Sequence, residues 1–180
     1  MAKCNIEYEL NNKKLIIRNA SESDAEELIK LIDQIDSETI FLTREPGEFN
    51  ISVEEEIKLI KKWENSKNNL VLLAEVDGKI VGSCGAHGNT KKRLSHKVDI
   101  GISIEKEYWG IGIGKKLLRE AISWCGENNI EKACLCVDTG NKRAINLYKS
   151  LGFVIEGELK KDIKLIDGSY RDAYIMGLFL

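Results

Sequence analysis

Between Tyr108 and Lys115 the chain reads Tyr-Trp-Gly-Ile-Gly-Ile-Gly-Lys, with glycines at 110, 112 and 114. Glycine has no Cβ, so a glycine turn that opens a helix lets backbone N–H groups approach an anion. A phosphate is the natural ligand. A tight strand-to-helix connection with no ligand is the other reading that glycine spacing alone leaves open. The run fails the two commoner phosphate motifs. Walker A has four residues between its glycines and then Lys-Ser/Thr, whereas Gly110 and Gly114 enclose three and Lys115-Lys116 follows. The dinucleotide fingerprint puts a third glycine three positions after the second, where this chain has Lys115 after Gly112 and Leu117 after Gly114.

Further along lies Asn141-Lys142-Arg143-Ala144-Ile145-Asn146-Leu147-Tyr148-Lys149-Ser150-Leu151-Gly152-Phe153. Taken together and in order, the two runs resemble the GCN5-related N-acetyltransferase (GNAT) superfamily. Its turn reads Gln/Arg-x-x-Gly-x-Gly/Ala, and its later helix reads Asn-x-x-Ala-x-x-x-Tyr-x-x-x-Gly-Phe. The resemblance extends from about Lys14 to the end of the sequence and is weakest from Ser37 to Ser66, where family members vary with the acceptor. It implies acetyl-CoA as donor, its pyrophosphate held by the turn Trp109, Gly110, Ile111, Gly112, Ile113, Gly114 and Lys115. Trp109 stands where the family has Gln or Arg, which removes a polar side chain and leaves the backbone donors. Ile102, Ser103 and Ile104 occupy the place of a strand that splays from its neighbour and offers backbone groups to the pantetheine arm and carbonyl. By the same resemblance Asn141 bonds the pantetheine portion, and Tyr148 lies near the thioester sulfur as general acid.

Acetyl transfer to an amine needs a neutral nucleophile, yet an unperturbed lysine amine has a pKa of about 10.4. A proton acceptor is therefore required. Asp99 lies in the otherwise apolar stretch Val98 to Ile104, where a charge needs a reason, and it acts as base through water or forms a structural ion pair. His96 is a second candidate, since imidazole is a common general base, although a histidine at a strand end commonly sits on the surface. Asn141 also reads as a helix cap, a role compatible with cofactor binding. A core-facing tyrosine is the other reading of Tyr148.

These residues need elements to position them. Lys14 to Ala20 reads as a strand, and Ser21 to Glu38 as a helix with Ala25, Leu28, Ile29, Ile32 and Ile35 on one stripe. Ser52 and Glu55 form a capping-box pattern that opens a second helix to about Ser66. The polar loop Thr39 to Asn50 between them suits a substrate lid. Strands follow at Asn69 to Val76 and Lys79 to His87 around Asp77-Gly78, then at Lys97 to Ile104. A helix from Gly112 buries Leu117, Leu118, Ala121, Ile122 and Cys125. After it come a strand at Lys132 to Val137, a helix at Asn141 to Leu151, and a last hairpin through Asp167-Gly168. The order β-α-α-β-β-β-α-β-α-β-β predicts an α/β fold: one mixed, mostly antiparallel sheet with helices on both faces, in one domain spanning 1–180 with its core from about Lys14.

Bulk properties narrow the function. With 27 basic against 29 acidic residues the chain carries no excess positive charge for nucleic acid. No apolar run approaches the roughly 20 residues of a membrane span, and the N-terminus lacks a signal-peptide pattern. We therefore expect a cytoplasmic protein with no membrane or nucleic-acid partner. The five cysteines lack paired metal spacing and read as reduced, mostly buried thiols; Cys134 and Cys136 can share a strand face. No metal is expected. The acceptor reads as a small-molecule primary amine such as an amino acid or polyamine. A protein α-amino or lysine acceptor, or a coenzyme A-binding sensor without chemistry, are the alternatives. Glu45 and Glu48 in the loop can hold an ammonium group, and the apolar strand Tyr174 to Leu180 can pair across a homodimer.

Overall fold

In the computed structural model, which describes residues 4–10, 13–64 and 66–180, strands and helices alternate much as the hydrophobic periods dictate. In chain order they are β1 (Asn5–Leu10), β2 (Lys13–Asn19), α1 (Ala25–Glu38), α2 (Val53–Glu64), β3 (Asn69–Val76), β4 (Lys79–Gly88) and β5 (Lys97–Ile104). Then come α3 (Ile113–Glu127), β6 (Lys132–Asp138), α4 (Lys142–Ser150), β7 (Val154–Lys164) and β8 (Tyr170–Phe179). The eight strands form one sheet in the order β1-β2-β3-β4-β5-β6-β8-β7. Every neighbouring pair is antiparallel except β5 with β6. This is the expected mixed sheet, lengthened by β1, in which Ile6, Tyr8 and Leu10 alternate with polar residues opposite β2.

Local signals fix the connections. Asp77 and Gly78 both have positive φ, 50° and 87°, so the β3–β4 hairpin turns in the sense that matches strand twist. The Ser52 amide donates to Glu55 at 2.8 Å, while the Glu55 amide donates to the Ser52 hydroxyl at 3.2 Å, closing the capping box that starts α2. That helix is expected to run to about Ser66 and ends in the structure at Glu64, with Asn65 outside the described residues. In α1 the buried stripe is Ala25, Leu28, Leu31 and Ile35, so Leu31 takes the inward place expected for Ile29 and Ile32.

The two faces of the sheet are covered differently. On one, α3 and α4 bury Leu117, Leu118, Ala121, Ile145 and Tyr148 against Leu72, Cys84, Ile100 and Leu135. On the other, α1 and α2 bury Leu28, Leu31, Ile35 and Ile60 against Leu73 and Ile80. The strand near the end of the chain corrects one expectation. β8 lies between β6 and β7, so both its edges are taken and it cannot pair across a dimer; the open edge belongs to β7. Among the described residues no helix is long and apolar enough to cross a membrane.

Leu117 is fully buried at the centre of the larger cluster. Leu117→Ala is expected to cost about 2–5 kcal/mol in chemical denaturation, lowering the midpoint without changing the slope.

Candidate active site

Parallel pairing of β5 with β6 stops early. The register is Lys97↔Lys132, Val98↔Ala133 and Asp99↔Cys134, and no pair follows although β5 continues to Ile104. On its other side β5 stays paired with β4 as far as Ile104. Backbone polar groups of a strand point alternately to its two edges. The Glu105 amide donates to Val81 on β4 at 2.9 Å, so Ile104 and Ile102 turn theirs toward β6. The Ile104 carbonyl accepts the Trp109 indole N–H at 2.7 Å. Ile102 is left with an amide and a carbonyl facing a gap. Ser103, the third residue expected here, pairs with β4, and its hydroxyl lies 3.2 Å from that of Ser83.

The glycine turn sits beside that gap. Gly110 and Gly112 have φ of 84° and 95°, values that other residues adopt only at a cost. The first helical hydrogen bond of α3 runs from Lys116 to the Gly112 carbonyl, and no side chain caps the helix. The amides of Ile113, Gly114 and Lys115 therefore precede any intrahelical partner, at the positive end of the helix dipole. Gly114 is needed for a different reason. A Cβ there would stand 3.3 Å from Ile104 Cδ1 and Leu147 Cδ2 and 3.6 Å from Ile102 Cδ1, so α3, α4 and β5 meet at this residue. These features fit a pyrophosphate followed by an extended arm.

Trp109 does something the motif does not suggest. Its single polar atom is committed to Ile104, so its side chain ties the turn to β5, and its ring carries the Arg143 guanidinium at 5.1 Å. Arg143 Nη2 also lies 3.4 Å from where a Gly110 Cβ would be. Arg143 is exposed and has no carboxylate partner among the described residues, so a cation from α4 stands over the turn where the family places Gln or Arg one element earlier. Asn141 caps α4, its Oδ1 accepting from the Ala144 amide at 3.1 Å, with its Nδ2 uncommitted.

Tyr148 projects from α4 into the α3/α4 core and is 8% exposed. Its ring tilts against Phe153 at 5.8 Å. Burial, then the neighbouring Cys84 thiol, push the phenol pKa well above its usual value, so the hydroxyl remains a proton donor. Cys84 stands opposite Ile102 in the β4–β5 register, which places the phenol over that pair, on the sheet face that Ile102 shares. The Cys84 and Cys125 thiols are themselves pushed up to about 12 by burial, which makes them inert.

Asp99 lies on the opposite face of the sheet, exposed and beneath the α1/α2 side. Tyr148 and Asp99 are thus brought together only through the gap. Directly across from Asp99 stands His87 on β4, which sequence reasoning passed over. Its ring folds over Gly85, where a Cβ would lie 2.8 Å from Nε2, and packs 5.2 Å from the Trp63 ring of α2. Burial on those sides lowers the His87 pKa, with the Asp99 charge opposing. Gly85 also pairs with Gly101, and a Cβ on Gly101 would meet nothing within 4 Å, so an open hollow lies above Gly101 beside the His87 ring that covers Gly85. His96 is remote from it. Its carbonyl accepts from Glu131 and Lys132 at the far end of β5, about 20 Å of strand from Ile102.

The loop between α1 and α2 is tied down. Arg44 bonds the buried Asp36 at 2.8 and 3.0 Å, and Arg171 of β8 stacks on Phe41 at 5.3 Å. Glu45 and Glu48 are exposed, and the Glu48 carboxylate accepts from the Glu45 amide at 2.9 Å, so it closes a turn instead of lining the hollow.

A family model for the acetyltransferase (GNAT) family matches residues 34–153, two thirds of the chain. The chain belongs to the GNAT family. A crystal structure of a GNAT-family acetyltransferase from Streptococcus pneumoniae superposes with a TM-score of 0.90 at 35% identity, covering 92% of this chain and 99% of that one. An L-amino acid N-acetyltransferase from Escherichia coli K12 is 37% identical over 106 residues, 58% of this chain and 65% of its own length. A spermidine N(1)-acetyltransferase from the same organism is 26% identical over 173 residues, 96% of this chain and 78% of that relative.

His87 gives this GNAT chain a pH signature. Because its pKa is lowered on folding, the unfolded chain binds the proton more readily. Stability is then lost as pH falls through the unfolded value of about 6.5 and levels off below the folded one. Thermal melts between about pH 7.5 and 5 should show a fall in Tm that His87→Gln makes smaller.

Proposed function

We propose that the chain is an acetyl-CoA-dependent N-acetyltransferase of the cytoplasm, acting on a primary amine of a small molecule by direct attack in a ternary complex. The observation that carries this reading is the departure of β5 from β6 after Asp99. It leaves Ile102 with free backbone groups between an uncapped helix start and a buried phenol. Family membership agrees with it, and relatives of known activity act on amines.

Acetyl-CoA supplies an activated acyl group as a thioester. The amides of Ile113, Gly114 and Lys115, with Arg143 above them, hold its pyrophosphate, and Ile102 and Asn141 take the pantetheine arm. Asp99, directly or through water and beside neutral His87, accepts the proton that the ammonium must lose. The amine nitrogen then forms the C–N bond as the C–S bond breaks. The Ile102 amide donates to the carbonyl oxygen as charge develops there. Tyr148 donates to the departing sulfur, whose conjugate thiol is a stronger acid than the phenol, so hydrogen-bond stabilisation outweighs full proton transfer.

Four measurements test this. Acetyl-CoA at about 100 times its Kd should stabilise the fold by about 2.7 kcal/mol in thermal melts, and no shift at millimolar cofactor overturns the reading. Free-thiol release with an amine panel separates an enzyme from a sensor. Tyr148→Phe should lower kcat and kcat/KM together by about tenfold to a thousandfold, about 1.4–4 kcal/mol, while the acetyl-CoA melting shift persists. Asp99→Asn should cost about a hundredfold to ten-thousandfold in turnover and flatten the acid limb of the rate profile. A loss below about threefold assigns the proton elsewhere.

A further inference from the structure

Helix α2 turns one carboxylate inward. Glu56, Ile60 and Trp63 lie at i, i+4 and i+7, one face of a helix, and that face packs on the sheet. Ile60 joins the α1/α2 core, and Trp63 rests on His87. Glu56 is only 3% exposed, and among the described residues nothing donates to it or pairs with it. The other buried carboxylates are matched: Asp24 with Arg18, Asp36 with Arg44, Glu105 with Lys79 and Asp138 with Arg171. Its oxygens nonetheless keep some contact with solvent, since among the described residues the only fully buried side-chain polar atom without a partner is Trp124 Nε1, and the burial around the carboxylate raises its pKa.

The fold sets where that carboxylate faces. A short link joins α2 to β3, and the helix returns antiparallel over it, with Trp63 above His87 at one end. From Trp63 back to Glu56 is about 10 Å of helix. From His87 back to Ser83 is about 13 Å of strand. Glu56 therefore comes level with Ser83 and Gly85 of β4, on the sheet face that carries Gly101 and Asp99. The two arginines anchoring the neighbouring loop, Arg44 and Arg171, are committed to Asp36 and Asp138. Each carries its charge against an acid, so neither offers an unpaired cation to a substrate carboxylate.

Resting on the acetyltransferase reading above, we propose that the acceptor is a diamine or polyamine without a carboxylate, and that Glu56 holds the ammonium that is not acetylated. Asp99 serves the one that is.

Three amines that share a five-carbon skeleton isolate the claim: 1,5-diaminopentane, lysine, which adds a carboxylate carbon, and 1-pentylamine, which lacks the second ammonium. With saturating acetyl-CoA, thiol release should favour diaminopentane over both by about tenfold or more in kcat/KM. Glu56→Gln should lower kcat/KM for diaminopentane about tenfold to a hundredfold, through KM, and leave pentylamine nearly unchanged. The variant should melt no lower than the parent, because it removes an unmatched buried charge. Lysine used as well as diaminopentane, or an equal loss on all three amines with a lowered Tm, overturns the proposal and leaves the enzyme class standing. If none of the three reacts while acetyl-CoA still raises Tm, the acceptor class is wrong. If acetyl-CoA produces neither thiol nor a melting shift, the acetyltransferase reading itself fails.

Discussion

Three elements meet at Gly114, and the site depends on how closely they do so. The first turn of α3 can rest against Ile102 and Ile104 of β5 and Leu147 of α4 because that position carries no side chain. The contact holds the uncapped helix start beside the strand whose backbone is unpaired, and brings α4 close enough to place Tyr148 at the same opening. Trp109 adds a second restraint by bonding the Ile104 carbonyl, which consumes a polar group at the end of β5 that would otherwise compete with Ile102. The gap is thus a consequence of packing on the α3/α4 side, transmitted through β5 to the opposite face.

That opposite face is electrostatically sorted. Cations near it are bound to buried carboxylates, Arg44 to Asp36 and Arg171 to Asp138, and those pairs fasten the α1–α2 loop. The acids left without a cation, Glu56 and Asp99, lie on the face that Gly101 leaves open. The donor side shows the reverse arrangement: helix-end amides and an unpaired Arg143 gather positive potential around the turn. Charge of opposite sign on the two sides of one sheet suits a reaction that brings an anionic donor and a cationic acceptor to a common point.

Much of this was legible in local runs. The glycine turn, the Asn141–Phe153 run and the capping box at Ser52 each depend on neighbours within a few residues, so sequence carries them directly. β1 was missed although Ile6, Tyr8 and Leu10 alternate, because the polar residues between them mask a short edge strand. His87 could not be singled out from Lys79–Gly88 without the β4–β5 register, which places it across from Asp99. Glu56 was hidden among Glu54 and Glu55, which face solvent; only its spacing to Ile60 and Trp63 marks it as inward. The role of Trp109 depends on where the turn leaves the Ile104 carbonyl, a tertiary fact with no sequence signal.

The placement of β8 constrains the order in which the molecule can be assembled. It follows β7 in the chain yet lies between β7 and β6. During vectorial synthesis β6 emerges with one edge unpaired, and β7 has no place in the sheet until residues 170–179 arrive to bridge the two. The larger core, which draws on Met176 of β8, also stays incomplete until then. A nascent chain stalled between β7 and β8 would expose an apolar edge to its neighbours, the species on which aggregation and chaperone capture compete.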